Sequence, residues 1–393
     1  MKPIYSAPSV KRRVALFGSL CLLIMTSNLL PAQSDTLTSE SRKKFHDFLD
    51  HFDLTVYMDV YYNVLLGWPA GDTSDLLEFA SNCPFKEEFR LNVVSLWFYY
   101  NSKNVRGKLE LQWGDAPNLL AEPNTQFIKN MKRVEFGFRI YKTLWVDLGY
   151  QYNPIGYESS FPIRNQLSTV TVEGYFETGN FLGIKLSSQI SPSFYAGVYL
   201  GNFYTLAYGK NTRLYGGITF SYMYKDLLSI SYSNRMGSHS LATEEPDHIY
   251  QTNNIIITLK PVKNLLIAGQ VDFGFQSDAG RPPDTTKTAS GMSTFLQVSY
   301  AFTKWFSATL RGEYLNDPDG ATGTLYAYDG KLRGLLTYGG TCGIEFKPYK
   351  DLYLRAEYLY LSADKGNEIF CSNLRDYRNT ITFTAGFRFG AFR

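Results

Sequence analysis

The sequence predicts an all-β protein: a transmembrane, antiparallel up-and-down β-barrel of about sixteen strands. It has short turns at one end and long loops at the other. Three observations predict it. From about Leu54 to the C-terminus, short segments alternate apolar and polar residues one at a time. The connections between those segments alternate short and long. The N-terminus has the layout of an export signal.

Lys11, Arg12 and Arg13 precede the apolar run Val14 to Met25, and Leu30-Pro31-Ala32-Gln33-Ser34 follows it. The run is short for a spanning helix, so residues 1–32 are expected to be a cleaved signal peptide. Leu20 stands before Cys21 where a lipoprotein signal would need a small residue. Residues 33–51 form a polar periplasmic lead. Phe45, Phe48, Leu49 and Phe52 have helical spacing there, so a short helix is expected. The barrel then takes residues 52–393, with no later apolar stretch long enough for a membrane helix.

Leu54, Val56, Met58, Val60, Tyr62 and Val64 alternate with Thr55, Tyr57, Asp59, Tyr61 and Asn63. Successive side chains of a strand point to opposite faces, so this segment has one apolar and one polar face. The same reading gives strands near 53–64, 89–101, 105–113, 133–141, 144–152, 179–188, 193–201, 213–224, 226–234, 249–260, 264–276, 291–302, 304–315, 334–347, 351–361 and 379–392. Seven connections are tight, and several carry a lysine before the strand restarts, as in Tyr224-Lys225-Asp226-Leu227. Eight longer ones lie between them, at 65–88, 114–132, 153–178, 202–212, 235–248, 277–290, 316–333 and 362–378. A soluble sandwich predicts no such asymmetry; a barrel with periplasmic turns and external loops requires it. The 16% aromatic content fits belts at both membrane surfaces. The last strand resembles an outer-membrane assembly signal, with Ile381, Phe383, Ala385, Phe387 and Phe389 in phase, although Phe392 near the end is out of phase.

If the apolar face meets lipid, the other lines the interior. That face receives Asp59, Arg106, Lys108, Glu110, Glu135, Arg139, Asp147, Lys185, Asp272, Arg311, Glu313, Glu345, Arg355, Glu357 and Arg388. A basic residue facing lipid at the midplane would cost about 2–4 kcal/mol. Singly, each is most simply a structural ion pair in a polar wall; together they call for a wet lumen. The third external loop, 153–178, either folds into that lumen or covers it as a lid. If it folds in, Glu158, Glu173 and Glu177, with Arg164 among them, form a constriction whose acids would face Arg106, Lys108 and Arg139. Cys83 and Cys371 fall in the first and last external loops, which closure makes neighbours. A disulfide between them is expected, against two free thiols.

The segment Val56 to Leu206 resembles the OmpL-like outer-membrane porins of the β-barrel porin-2 family. The resemblance rests on Asp59-Val60-Tyr61-Tyr62, Asn101-Ser102-Lys103-Asn104-Val105-Arg106-Gly107 and Ala121-Glu122-Pro123-Asn124-Thr125. It continues with Leu144-Trp145-Val146-Asp147, Ile155-Gly156-Tyr157-Glu158-Ser159 and Gly174-Tyr175-Phe176-Glu177-Thr178-Gly179. It implies an outer-membrane channel and names no substrate.

Enzyme chemistry has little support. The four histidines, His46, His51, His239 and His248, form no metal motif, and neither a lipase-like serine elbow nor a phosphate-binding glycine loop is present. No cofactor is expected. A net charge of +3 over 393 residues gives no reason to expect nucleic acid. The reading is a passive, water-filled diffusion channel for small hydrophilic solutes or ions. It would sit in outer-membrane lipid and be delivered to the barrel-assembly machinery. A homotrimer is suggested only by analogy with porins of this size. The rival readings are a non-conducting barrel whose loops bind a ligand or surface, through residues such as Asp72, Glu244 and Asp247, and a substrate-selective nutrient channel.

Overall fold

A computed structural model of the chain describes residues 50–390, apart from 120–127, 178, 204–213, 239–248, 278–285, 322–325, 329–330 and 365. The expected signal peptide, nearly all of the polar lead, and the loop acids Glu244, Glu245 and Asp247 lie outside the described residues.

Sixteen strands close into one antiparallel barrel. They are β1 (Phe52–Leu66), β2 (Arg90–Asn101), β3 (Val105–Trp113), β4 (Met131–Tyr141), β5 (Leu144–Tyr152), β6 (Asn180–Ser191), β7 (Phe194–Phe203), β8 (Tyr215–Tyr224), β9 (Leu228–Ser238), β10 (Ile249–Val262), β11 (Leu265–Gln276), β12 (Ala289–Ala301), β13 (Phe306–Asp317), β16 (Leu335–Tyr349), β17 (Leu352–Ala363) and β18 (Tyr377–Gly390). A hairpin of β14 (Tyr326–Tyr328) and β15 (Lys331–Arg333) stands apart in the loop after β13. Alternation did not reveal it, because strands of three residues are too short to show a period. β1 closes on β18, with Val60 opposite Ala385 and Tyr62 opposite Phe383. Closure pairs every strand edge, which is what lets backbone amides sit in hydrocarbon. Among the described residues no helix is long and apolar enough to cross a membrane; the strands are the crossing elements.

The period-two pattern sets the two faces. Met58 and Val60 are 43% and 38% exposed, and Asp59 between them is fully buried. On β4, Phe136 and Phe138 are exposed while Glu135 is buried. Outside the barrel near the tight turns lie Tyr141, Phe302, Trp305 and Tyr349, all well exposed. Tyr300 and Phe302 form an edge-on pair 4.9 Å apart, and Trp305 packs on Phe346 at 5.4 Å. These side chains form one aromatic belt. The turns themselves are tight enough that Lys142 and Lys225 take left-handed backbone angles (φ 37° and 51°).

The apolar interior is not a single core. It consists of local clusters where loops dock inside the barrel. Leu77 and Phe79 of the first external loop meet Val172 of the third, Phe370 of the last, and Leu335 and Leu361 of the wall. A second cluster joins Phe161 to Tyr57, Trp97 and Tyr353. Phe161 has no exposed surface, and burying such a ring stabilises by about 1.5–3 kcal/mol.

Candidate functional site

The third external loop, 153–179, folds into the lumen, which decides between the two placements open in the sequence. It contains a 3-10 turn (Pro162–Arg164) and a short helix, α1 (Val172–Phe176). Thr171 caps α1 by accepting from the Gly174 amide through its hydroxyl. One end of the loop is held by β17 and β18. Arg355 donates to the carbonyls of Pro162 (2.9 Å) and Asn165 (2.7 Å), and Glu357 accepts from the amides of Ser168 and Thr169. The other end reaches the far wall. Arg311 on β13 pairs with Glu158 at 2.6 Å and donates to the Thr169 carbonyl. Glu313 accepts from the Val172 amide, and Gln270 on β11 accepts from the Tyr157 amide and donates to Glu177. Buried groups this numerous and this well paired fix the loop rather than tether it.

Charged residues of the loop therefore meet partners other than those the sequence suggested. Glu158 faces Arg311, while Glu173 and Glu177 lie beside Asp272. Burial, and then the Asp272 charge, pushes the Glu173 carboxyl up to about 8. Burial, Asp272 and Glu173 push Glu177 up as well. Arg164, the loop's basic residue, lies 4.4 Å over the Trp97 ring and pairs with Glu110 at 3.5 Å. None of the loop acids faces Arg106, Lys108 or Arg139. The reason is register: the basic residues of β3 already have wall partners.

Arg106 stands opposite Gly137 on β4, and Gly137 stands opposite Asp147 on β5. A Cβ at Gly137 would fall 2.2 Å from Asp147 Oδ1. Without one, Arg106 crosses the strand and pairs with Asp147 through two hydrogen bonds of 2.6 and 2.5 Å. Two residues along, Lys108 stands opposite Glu135 and pairs with it at 3.4 Å. Two further along, Glu110 stands opposite Arg133 and accepts from the hydroxyls of Tyr99 and Tyr152. Arg133 also pairs with Glu135 at 2.6 Å. Lys185 on β6 stands opposite Asp147. Arg139, at the turn end, donates to Asn104.

The remaining wall charges also take inner-face positions. Asp59 accepts from Asn92 and Tyr353, Arg355 pairs with Glu345, and Arg388 pairs with Asp351 at 2.9 Å. At the turn end a cavity of about 450 Å³ opens between loop and wall, lined by Asp53, Thr55, Trp97, Tyr99, Arg164, Lys350, Asp351, Arg388 and Gly390.

One expectation is corrected. Cys83 and Cys371 are both buried and both free. Their loops do meet, but through Ser372 donating to Asp72 and Arg378 reaching Glu78. The Cys83 amide donates to Asn92 and its carbonyl accepts from Asn63, which draws Cys83 down into the lumen.

The family profile described as "Putative beta-barrel porin-2, OmpL-like" matches residues 51–389. The chain belongs to the β-barrel porin-2 family. The match runs well past Leu206, where the motif resemblance stopped, and takes in the whole barrel. No curated protein sequence matches the chain. Among solved structures this porin resembles the outer membrane channel DcaP of Acinetobacter baumannii, at 11% identity and a TM-score of 0.58, over 86% of this chain and 97% of that one. It also resembles the anion-selective porin from Comamonas acidovorans (10%, TM-score 0.57, over 86% and 99%) and the trimer form of OmpT, an outer membrane protein of Vibrio cholerae (10%, TM-score 0.54, over 86% and 99%). At such identities these likenesses speak for the fold. Family and fold together make this porin an outer-membrane diffusion channel of the bacterial cell.

Sequence reasoning missed the glycines that seat the wall charges. A signal was present in Gly137 and Gly386, each in the middle of an otherwise bulky strand. Gly386 stands opposite both Tyr353 and Asp59, and Tyr353 reaches Asp59 across it.

Proposed function

We propose that the porin passes small hydrophilic solutes and ions passively through a water-filled path between the inserted loop and the wall of β3 to β6. The observation that carries this reading is the placement of the loop. It is bolted to β10–β13 and β16–β18 and reaches the ionic wall of β3–β6 through Arg164, at Glu110 and Tyr152, while the Arg106–Asp147 and Lys108–Glu135 levels pair within the wall itself. Charges there stay hydrated at low cost only beside water. Residues 1–32 act as an export signal, residues 33–51 as a short periplasmic lead, and the barrel-assembly machinery inserts residues 52–393. The barrel works as a channel and not as an enzyme, and three copies assemble as a homotrimer. The lumenal roles belong to Arg106, Lys108, Glu110, Glu135, Arg139, Asp147 and Lys185, with Arg164 on the inserted loop.

Liposome swelling tests the reading. Vesicles carrying the refolded, signal-free barrel are placed in isotonic sugars of rising size. Swelling that falls off with solute size supports a diffusion path. Folded barrels giving no more swelling than empty vesicles would point instead to a loop-binding barrel.

A further inference from the structure

We propose that the wall of β3 to β6 selects small anions, so that the porin's preferred solutes carry carboxylate, phosphate or similar oxyanion groups. The proposal rests on the channel reading and names its substrate class. Its observation is a difference in depth between the two signs of charge. The acids of this wall are buried: Glu110, Glu135 and Asp147 keep only 0%, 2% and 1% of their side-chain surface exposed. The bases stand over them: Arg106 and Lys108 keep 26% each, Arg164 32% and Arg133 13%.

A mobile ion responds most strongly to the charge it can approach. Glu110 is covered by Tyr99, Tyr152 and Arg164. Asp147 spends both oxygens on Arg106. A cation in the lumen therefore finds no open carboxylate on this wall. An anion finds guanidinium and ammonium groups with donors to spare, since the Arg106 pair uses two of that side chain's five N–H bonds. The count leans the same way: Arg106, Lys108, Arg133, Arg164 and Lys185 stand against Glu110, Glu135 and Asp147.

The bases are also arranged along the direction of travel. Arg106, Lys108 and the Glu110–Arg133 level follow one another at two-residue steps of β3, about 7 Å apart. Arg164 joins the series at the Glu110 level and also lines the cavity at the turn end, beside Asp53, Asp351 and Arg388. An oxyanion can then pass from one donor to the next without losing all its partners, which is the condition for conduction rather than trapping.

The test is the reversal potential of the refolded barrel in a planar bilayer under a tenfold potassium chloride gradient. Chloride should be favoured over potassium by about threefold or more, falling toward equal permeability in Arg106→Gln/Lys185→Gln. Lys185→Met alone, which leaves the Arg106 pair intact, should give part of that fall, so the result does not depend on the double variant folding. A conducting wild type that favours potassium, or neither ion, overturns the anion assignment and leaves the channel standing. A folded wild type that does not conduct overturns the channel reading, and the assignment with it.

Discussion

The guanidinium of Arg106 lies across Gly137 and holds Asp147 two strands away, through hydrogen bonds of 2.6 and 2.5 Å. The pair exists because the strand between has no side chain at that point. A methyl at Gly137 would sit 2.2 Å from Asp147 Oδ1 and near the Arg106 stem. Gly137→Ala should therefore separate the pair, costing about 1–3 kcal/mol in barrel stability. Heat- or denaturant-induced loss of the folded band on gels checks it. An unchanged midpoint would mean that Arg106 and Asp147 relax without cost.

The inserted loop should depend strongly on Arg311. Arg311 binds Glu158 at 2.6 Å and the Thr169 carbonyl at 2.8 Å, with no exposed side-chain surface. Arg311→Met leaves Glu158 buried without its partner, a change that costs about 3–5 kcal/mol. The loop should leave the wall, so added protease should cut within 153–179 in the variant and spare the parent. Conductance should become larger and noisier.

Loop docking should weaken as pH rises. The docked Glu173 carboxyl holds its proton up to about 8, and an undocked one releases it near 4.3. The docked state thus binds more protons across that window, so docking is strongest below about pH 4 and is lost progressively as pH rises toward the docked value. Glu177, raised by the same neighbours, adds in the same direction. Hydrogen exchange of 153–179, corrected for its intrinsic rate, should show protection falling between pH 5 and pH 9. Glu173→Gln should flatten the profile.

Cys83 and Cys371 should remain thiols after export. Both are buried, and burial pushes each thiol up, away from the reactive thiolate. Non-reducing and reducing digests should give the same separate Cys83 and Cys371 peptides, each alkylated only after unfolding. A peptide joining the two would show that the loops rearrange.

Much of the fold was legible because a barrel strand encodes its two faces in a period of two. Met58, Asp59 and Val60 alternate in sequence as they alternate between lipid and lumen, and the tight turns at Lys142 and Lys225 marked the strand ends. The inward direction of charges such as Asp59, Arg106 and Glu357 followed from the same parity. Pairing did not, because partners depend on register between strands: Lys108 meets Glu135, and Arg106 skips a strand to Asp147. Placement of 153–179 was open because its apolar residues, Phe161 above all, would bury equally well under a lid. The positions of Tyr57, Trp97 and Tyr353 around Phe161, with the wall partners Arg311, Arg355 and Glu357, decide it. The disulfide expectation failed for a related reason. Neighbouring loops need not bring two chosen residues together, and Asn63 and Asn92 pull Cys83 below the level at which the loops touch.

The lumen conducts beside the docked loop. Single-channel recording of the refolded, signal-free porin in a planar bilayer tests it most directly. Discrete steps should appear, and their size should increase in Arg311→Met, as the loop leaves its wall. A folded parent without steps, giving steps only in Arg311→Met, would contradict it: the loop would then be a plug and not the edge of a pore.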